Sequence, residues 1–274
     1  MEYIQAVILG IIQGLTEFLP ISSSAHLMLV PHLTGWKYFG KYFDVAVHIG
    51  TFAALLVYYR VTVVELFKNF IKSFKNFKEM NNDPNLRLPW LLIASAVPAG
   101  VIGILFEDII ESKLSIVWMT ASILIIFGIL LAISESLSTG KLETNDIDFK
   151  TALIIGCSQA LALIPGVSRS GITMTACMFM GMKKEGSANF SFLMSLPVVG
   201  GAAIFAVLKI IKDPSIMSSL WVFIFGILAS AISGYFVIKF LLNFLKKGSF
   251  QIFMYYRIAL GLLILGMFFW GAIS

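Results

Sequence analysis

The chain carries little charge: Asp, Glu, Lys and Arg supply 13% of its 274 residues, about half the share in an average soluble domain. Hydrophobic residues supply 58%, and the mean hydropathy is +0.91. So few charges exclude an ordinary water-soluble domain. The net charge of +5 is too small, and its basic cluster is too confined to one loop, for a nucleic-acid surface, so no nucleic-acid partner is expected.

Cysteine is also scarce. The two cysteines, Cys157 and Cys177, lie in apolar stretches and lack the spacing of a disulfide framework or a zinc site. We interpret both as small core residues. A basic segment is missing at the start of the chain, and polar Gln13 and Glu17 interrupt the first apolar stretch. We therefore do not expect a cleaved signal peptide.

Long apolar runs are abundant. About 20 apolar residues cross a bilayer as a helix, and backbone exposed to lipid must be helical or part of a closed barrel. The runs are too long for the alternating strands of a barrel. The sequence predicts an all-α, polytopic, multi-pass integral membrane protein with about six spanning helices. These lie near residues 44–60, 88–106, 115–134, 189–211, 219–242 and 255–273.

Two further segments, 3–30 and 151–182, begin as apolar helices and then break. The breaks fall at Pro20 and Pro165, and Ser and Gly residues follow before the apolar pattern resumes. A break at membrane depth is tolerated only where protein or a water-filled cavity surrounds it. We predict that both segments form re-entrant helix–loop–helix hairpins.

The two halves of the chain resemble each other. At an offset of 145 residues Pro20 meets Pro165, Ser23 meets Ser168 and Asp44 meets Asn189, and at 146 Gly10 meets Gly156 and Gln13 meets Gln159. Each half has one hairpin and three spans, and an odd number of spans inverts the second half in the membrane. We predict a single membrane domain with an inverted-topology repeat. Its parts are repeat 1 (about 1–134), a loop (135–150) and repeat 2 (about 151–274).

Loop charge predicts the orientation in the membrane. The loop at 61–87 is basic, whereas the loop at 107–114 is acidic. Basic loops favour the cytoplasmic side. We therefore expect loop 61–87 inside, loop 107–114 outside and both termini outside.

The second broken segment contains an arginine, Arg169, at membrane depth, where a charge marks a functional site by default. A guanidinium stays charged when desolvated and matches phosphate oxygens. Its neighbours include three hydroxyls and two glycines: Ser168, Ser170, Thr173, Gly166 and Gly171. These could donate to an anion at the start of a helix. The alternative is a purely structural ion pair with Glu17 or Asp44.

The first broken segment carries an acid, hydroxyls and an imidazole. Gln13 and Glu17 are four residues apart and share a helix face, and three serines, 22–24, follow at the break. Ser23 and His26 are three apart, so a helix would place His26 to take the serine proton. Glu17 could orient the imidazole, act as the base or bind a divalent cation. The alternatives are that the serines only cap a helix and that His26 only bonds a neighbouring helix.

Asp44 and His48, also four residues apart, form a second polar pair at the start of a span. They could support the site or carry protons, or Asp44 could simply mark the helix start. The residues together favour a lipid phosphate ester or anhydride handled within the bilayer. The competing class is a secondary transporter or lipid-phosphate flippase, which inverted repeats fit equally well. Transport needs the cation but no nucleophile and base.

Residues 13–26, Gln-Gly-Leu-Thr-Glu-Phe-Leu-Pro-Ile-Ser-Ser-Ser-Ala-His, and residues 165–171, Pro-Gly-Val-Ser-Arg-Ser-Gly, resemble the two signatures of the bacterial undecaprenyl-diphosphate phosphatases, the bacitracin-resistance family. The resemblance covers the whole chain in length, hydropathy and layout. It implies hydrolysis of undecaprenyl diphosphate to undecaprenyl phosphate and inorganic phosphate, which recycles the lipid carrier for peptidoglycan synthesis. It also implies a bacterial plasma (inner) membrane enzyme, a site open to the extracytoplasmic side, and dependence on Mg²⁺ or Ca²⁺.

Carried onto this sequence, the resemblance places six residues on the family's functional positions: Glu17, Ser23, His26, Ser168, Arg169 and Thr173. The chemistry of the neighbouring residues completes the predicted set. The predicted catalytic residues are Ser23, His26, Glu17 and Arg169. The predicted substrate-binding residues are Ser22, Ser24, Gln13, Gly166, Ser168, Ser170, Gly171 and Thr173. Glu17 is the predicted metal ligand. Many members of the family have a glutamate where this chain has Gln13, so Glu17 is its sole motif carboxylate. The nucleophile stays open between Ser23, His26 and water, and a homodimer is one option for assembly.

Overall fold

The computed structural model describes residues 1–80, 82–114, 116–212 and 220–273. Within them the chain forms eleven α-helices, which confirms the all-α prediction. They are α1 (Glu2–Phe18), α2 (Ser23–Thr34), α3 (Lys41–Tyr58), α4 (Arg60–Lys75), α5 (Pro84–Leu114), α6 (Val117–Leu137), α7 (Phe149–Ala160), α8 (Arg169–Phe179), α9 (Lys184–Lys212), α10 (Leu220–Leu245) and α11 (Gln251–Phe269). Short 3₁₀ helices occur at Phe77–Glu79, Thr144–Asp146 and Leu161–Leu163.

Among the described residues, four helices are long and apolar enough to cross a membrane: Pro84–Phe106 of α5, then α6, α10 and α11. Helices α3 and α4 meet that requirement only as a pair, and a bend of 81° separates them. Helix α9 covers the predicted span 189–211, in which the side chains of 202 and 204–211 lie outside the described residues. The polytopic membrane architecture is therefore confirmed.

The two loops used to predict orientation are partly helical. Segment 61–87 contains α4, a 3₁₀ turn and the start of α5, and α5 continues through 107–114 to Leu114. The charged residues of 61–87 indicated a loop. However, Phe67, Phe70 and Phe74 recur every three to four residues, which is the spacing of a helix face. The prediction of loops there was wrong.

The helices of the two halves interlock. Helix α1 packs along α10, and its counterpart α7 packs along α5. Both contacts need glycine: a Cβ added at Gly10 would lie 2.4 Å from the carbonyl oxygen of Gly226, and one at Gly156 would lie 2.4 Å from that of Ser95. Small residues allow such close backbone approach in membranes. The largest apolar cluster joins α1, α3, α5, α8, α9 and α10 around residues such as Phe18 and Phe190.

Both motif segments are helix–loop–helix, as predicted. Helix α1 ends at Phe18 and α2 begins after Ser22, while the 3₁₀ turn after α7 ends at Leu163 and α8 begins after Ser168. Ser22 and Ser168 have φ of 71° and 72°, and no other described non-glycine residue has positive φ. The backbone correspondence thus follows the offset of 146 at this point, not 145. The repeat boundaries stay a prediction.

Candidate active site

The two breaks touch each other. Arg169, the first residue of α8, donates from Nη2 to Oε1 of Glu17 at 2.8 Å. The hydroxyl of Ser170 donates to the carbonyl oxygen of Leu19 at 3.0 Å. Two motifs that are 152 residues apart in sequence therefore form one site. The arginine–carboxylate pair considered as an alternative is present, within a wider polar cluster.

Glu17 is the centre of that cluster. Its Oε2 accepts from the hydroxyl of Ser23 at 2.8 Å and from the amide of Gln13 at 3.1 Å. His48 Nε2 lies 3.5 Å from the same oxygen. The carboxylate is 8% exposed, and a buried carboxylate needs partners of this kind. Gln13 orients the acid by a hydrogen bond, the one role its chemistry leaves it.

His26 does not contact Ser23, so the predicted serine–histidine pair is not formed. Its Nδ1 lies 2.7 Å from the carbonyl oxygen of Ser22, which can only accept, so Nδ1 carries the proton. In the neutral ring Nε2 then accepts from the hydroxyl of Tyr256, at 2.7 Å. The two rings are stacked, with centroids 5.7 Å apart. Glu17, and not His26, is the base within reach of Ser23.

The remaining serines of the first break have unequal exposure. Ser22 is 1% exposed, whereas Ser24 faces solvent. Their hydroxyls lie 3.1 Å apart. Ser24 is therefore accessible to a substrate, and Ser22 holds the backbone turn.

The hydroxyls of the second motif mostly stabilise the break itself. Thr173 is fully buried and bonds the carbonyl of Arg169 at 2.8 Å and the hydroxyl of Ser191 at 2.6 Å. Ser168 Oγ accepts from the backbone N–H of Gly171 at 3.2 Å and lies 3.3 Å from Ser170 Oγ. That N–H is therefore occupied within the helix cap. These residues position Arg169, and the guanidinium is the group left to contact an anion.

Arg257 on α11 was missed by the sequence predictions. It is 0% exposed, and its guanidinium donates to four carbonyls. The acceptors are Leu124 (Nε, 3.0 Å), Pro20 (Nη1, 3.1 Å), Gly166 (Nη2, 2.9 Å) and Val167 (Nη2, 3.0 Å). A Cβ at Gly171 would lie 2.9 Å from Nη1, so Gly171 makes room for this side chain. An arginine inside an apolar helix was the available signal.

Residues 6–263 match the family described as Bacitracin resistance protein BacA. The chain belongs to this family. It is 44% identical over 266 residues to an undecaprenyl-diphosphatase of Geotalea daltonii, covering 97% of this chain and 98% of that protein. It is 45% identical over 262 residues to the undecaprenyl-diphosphatase of Pelobacter propionicus, covering 95% of each. Identity to that of Caldicellulosiruptor bescii is 42% over 274 residues, covering both completely.

In this BacA-family member an apolar cleft of about 460 Å³ opens beside the first break. Its walls come from α1, the first break, α2 and α11: Ile12, Leu15, Thr16, Leu19, Ile21, His26, Val30, Ile252, Phe253 and Tyr256. Leu15 and Ile252 are exposed on the outer surface, so the cleft leads from the lipid-facing side of the protein to His26.

The residues that could hold a metal are few. Among the described residues, no three His, Cys, Asp or Glu side chains are grouped to bind an ion. Glu17, the ligand predicted from the sequence, already accepts from Arg169, Ser23 and Gln13. Mg²⁺ is often bound by one or two carboxylates together with substrate phosphates. The donors present fit a cation carried by a diphosphate near Glu17 better than a site built from protein alone.

Proposed function

We propose that this site hydrolyses undecaprenyl diphosphate to undecaprenyl phosphate and inorganic phosphate, the reaction for which the relatives are named. The product is the lipid carrier for peptidoglycan and other wall polymers, and the reaction underlies bacitracin resistance. One observation carries the proposal: Glu17 joins a hydroxyl, Ser23, to a cation, Arg169, at 2.8 Å each. Nucleophile, base and phosphate-binding group are thereby assembled from both breaks.

Arg169 binds the diphosphate first. Its guanidinium pairs with Glu17, and a phosphate competes with that carboxylate for the same donors. When the guanidinium of Arg169 pairs with the substrate phosphate instead, Glu17 becomes free to accept a proton. Substrate binding thus prepares the base.

Ser23 then attacks the terminal phosphorus. A bond forms from Oγ to phosphorus, the bond from phosphorus to the bridging oxygen breaks, and Glu17 takes the hydroxyl proton. Undecaprenyl phosphate leaves with the electron pair. Water next attacks the phosphoserine: Glu17 takes a proton from the water and gives it to Ser23 Oγ as the bond from that oxygen to phosphorus breaks, which releases inorganic phosphate and restores Ser23.

His48 offers a path for the proton that Glu17 receives. Its Nδ1 donates to the carbonyl oxygen of Asp44 at 2.6 Å, which leaves Nε2 as the basic nitrogen, 3.5 Å from Glu17 Oε2. The side chain is 36% exposed and can return the proton to water. Of the predicted pair, His48 contributes its imidazole to this proton path, and Asp44 contributes only the backbone carbonyl that orients the imidazole. The Asp44 carboxylate instead accepts from Tyr38 at 2.6 Å.

A divalent cation, Mg²⁺ or Ca²⁺, is part of the proposal. Glu17 and the oxygens of the diphosphate would hold it. Such an ion would offset charge on the phosphate that leaves.

The lipid tail explains the location of the site. A long polyprenyl chain stays in the bilayer, so the scissile bond must be reached laterally through the cleft between α1 and α11. We place the enzyme in the bacterial inner membrane, with the site facing the extracytoplasmic side. The oligomeric state, with a homodimer as one option, can be measured by native mass spectrometry. No observation favours the transporter alternative.

The test is phosphate release by the purified protein in detergent from a polyprenyl diphosphate, with and without Mg²⁺ or Ca²⁺, beside Arg169→Ala and Ser23→Ala. We expect metal-dependent release that both variants lose. Folded protein that releases no phosphate, or phosphate release that is unchanged in Arg169→Ala, would contradict the proposed phosphatase activity. Mass spectrometry of acid-quenched enzyme should detect phosphate on Ser23. Turnover without that adduct and undiminished in Ser23→Ala would assign the attack to water or His26.

A further inference from the structure

Helix α4 has an unusual position for a helix of a membrane protein. It follows α3, precedes the span of α5, and is bent by 81° from α3. Two helices bent by 81° cannot both run along the membrane normal, and α4, which carries five charged residues, is the one that fits the membrane surface. Only one of its 16 residues, Ser73, is buried.

The rotation of α4 about its axis is set by contacts with α5. Trp90 Nε1 donates to the hydroxyl of Ser73 at 2.9 Å. The Trp90 ring packs against Phe70 and Phe74, with centroids 5.0 and 5.6 Å away. Leu66, on the same side of the helix, packs against the main core. These contacts fix the side of α4 that faces the protein, and therefore also the two faces that point away from it.

The first outward face is apolar. Val64, Phe67, Ile71 and Phe74 are between 49% and 66% exposed. At 3.6 residues per turn they fall within an arc of about 80°. A contiguous apolar stripe of this kind on a helix parallel to the membrane is the part that enters the boundary between headgroups and acyl chains.

The second outward face is basic and borders the first. Lys68, Lys72 and Lys75 are exposed and fall within an arc of about 60°. Among the described residues, no carboxylate lies within 4 Å of their ammonium groups. Lysine stems can lie along the apolar stripe while their charges reach the headgroup layer. The cations are thus available to an external anion at headgroup depth.

We propose that α4 is a docking surface for anionic phospholipid headgroups, with acyl chains beneath Phe67 and phosphates on Lys68, Lys72 and Lys75. Charge complementarity selects this occupant, because the basic stripe runs beside the apolar one along the helix and matches a lipid's phosphate and acyl chain together. Each basic residue near an anionic membrane surface adds to the attraction. This surface is separate from the catalytic breaks.

The test uses the purified full-length protein in detergent, with phosphatidylglycerol or phosphatidylcholine added and bound lipids counted by native mass spectrometry. The variant is Lys68→Gln/Lys72→Gln/Lys75→Gln. The matched control is Lys150→Gln/Lys246→Gln/Lys247→Gln, which removes the same charge from exposed positions elsewhere. We expect phosphatidylglycerol to bind more tightly than phosphatidylcholine. The α4 variant should lose roughly tenfold or more of that preference, and the control should keep it.

Several outcomes would overturn the proposal. Equal loss in both variants would mean that only net charge matters. Equal binding of the two lipids, or an unchanged preference in the α4 variant, would show that α4 does not bind anionic headgroups. Displacement of phosphatidylglycerol by millimolar glycerol phosphate would show that the lysines bind soluble phosphates rather than lipid headgroups. Phosphate release in detergent serves as the folding check, since none of these lysines belongs to the active site.

Discussion

The break between α1 and α2 and the break between α7 and α8 have the same backbone but different side chains. Ser22 and Ser168 precede the second helix of each break with φ near 71°, a conformation that costs roughly 1–3 kcal/mol for a non-glycine residue. In each, the serine hydroxyl lies near that of the residue two positions on, at 3.1 and 3.3 Å. The residue that follows differs: Ser23 in the first, Arg169 in the second.

The difference shows how two breaks with the same backbone conformation share one active site. The same strained turn presents the first residue of a half-helix to the same polar centre from two sides. One copy presents a nucleophile and the other a cation, and Glu17 joins them. The position equivalent to Glu17 at an offset of 146 is Leu163, so the acid exists once.

Loss of Ser23 should be the largest single effect. We expect Ser23→Ala to lower kcat about 10⁴-fold or more, because the nucleophile is removed. Ser24→Ala is the control, since Ser24 is exposed and bonds only Ser22 among the described residues; it should change kcat by less than about tenfold. Phosphate release under saturating substrate measures both. Comparable losses in the two variants would mean that the serines act together on substrate rather than one as nucleophile.

Arg169→Lys tests the second break. Lysine keeps the charge but not the planar fork that matches phosphate and Glu17. We expect kcat/KM to fall by about 10²–10³-fold, as when one transition-state donor is removed. Thermal unfolding should change little, since Thr173 and Ser168 hold this turn without the guanidinium. Full activity in the lysine variant would show that a point charge suffices there.

Arg257 tests whether the two breaks must be held together. It donates to Pro20 of one break and to Gly166 and Val167 of the other. Lysine cannot reach all these carbonyls, and each buried acceptor left unpaired costs about 1–3 kcal/mol. We expect Arg257→Lys to lower the unfolding temperature and to reduce activity in proportion. Arg60→Lys, at an exposed site, is the control. Unchanged stability in Arg257→Lys would mean that the breaks stay together without it.

Much of this could be predicted from the sequence. Apolar runs located the helices, the two prolines located the breaks, and Glu17 and Arg169 stood out because charge is costly in lipid. The partner of Ser23 could not be predicted, because both nitrogens of His26 are occupied by Ser22 and by Tyr256, which is 230 positions away. Arg257 bonds residues 90 to 237 positions away, which no local pattern reveals.

The two glutamines give the smallest and sharpest comparison. Gln13 donates to Glu17, whereas the equivalent Gln159 is 2% exposed and neither of its amide atoms has a partner among the described residues. We expect Gln13→Leu to lower kcat/KM about tenfold through loss of that hydrogen bond. Gln159→Leu should keep activity and raise the free energy of unfolding by about 1 kcal/mol, since an unpaired buried amide is removed. Phosphate release and thermal unfolding separate the two effects. Loss of stability in Gln159→Leu would instead mean that this amide binds a buried water or ligand, and the second break would then have kept a polar centre of its own.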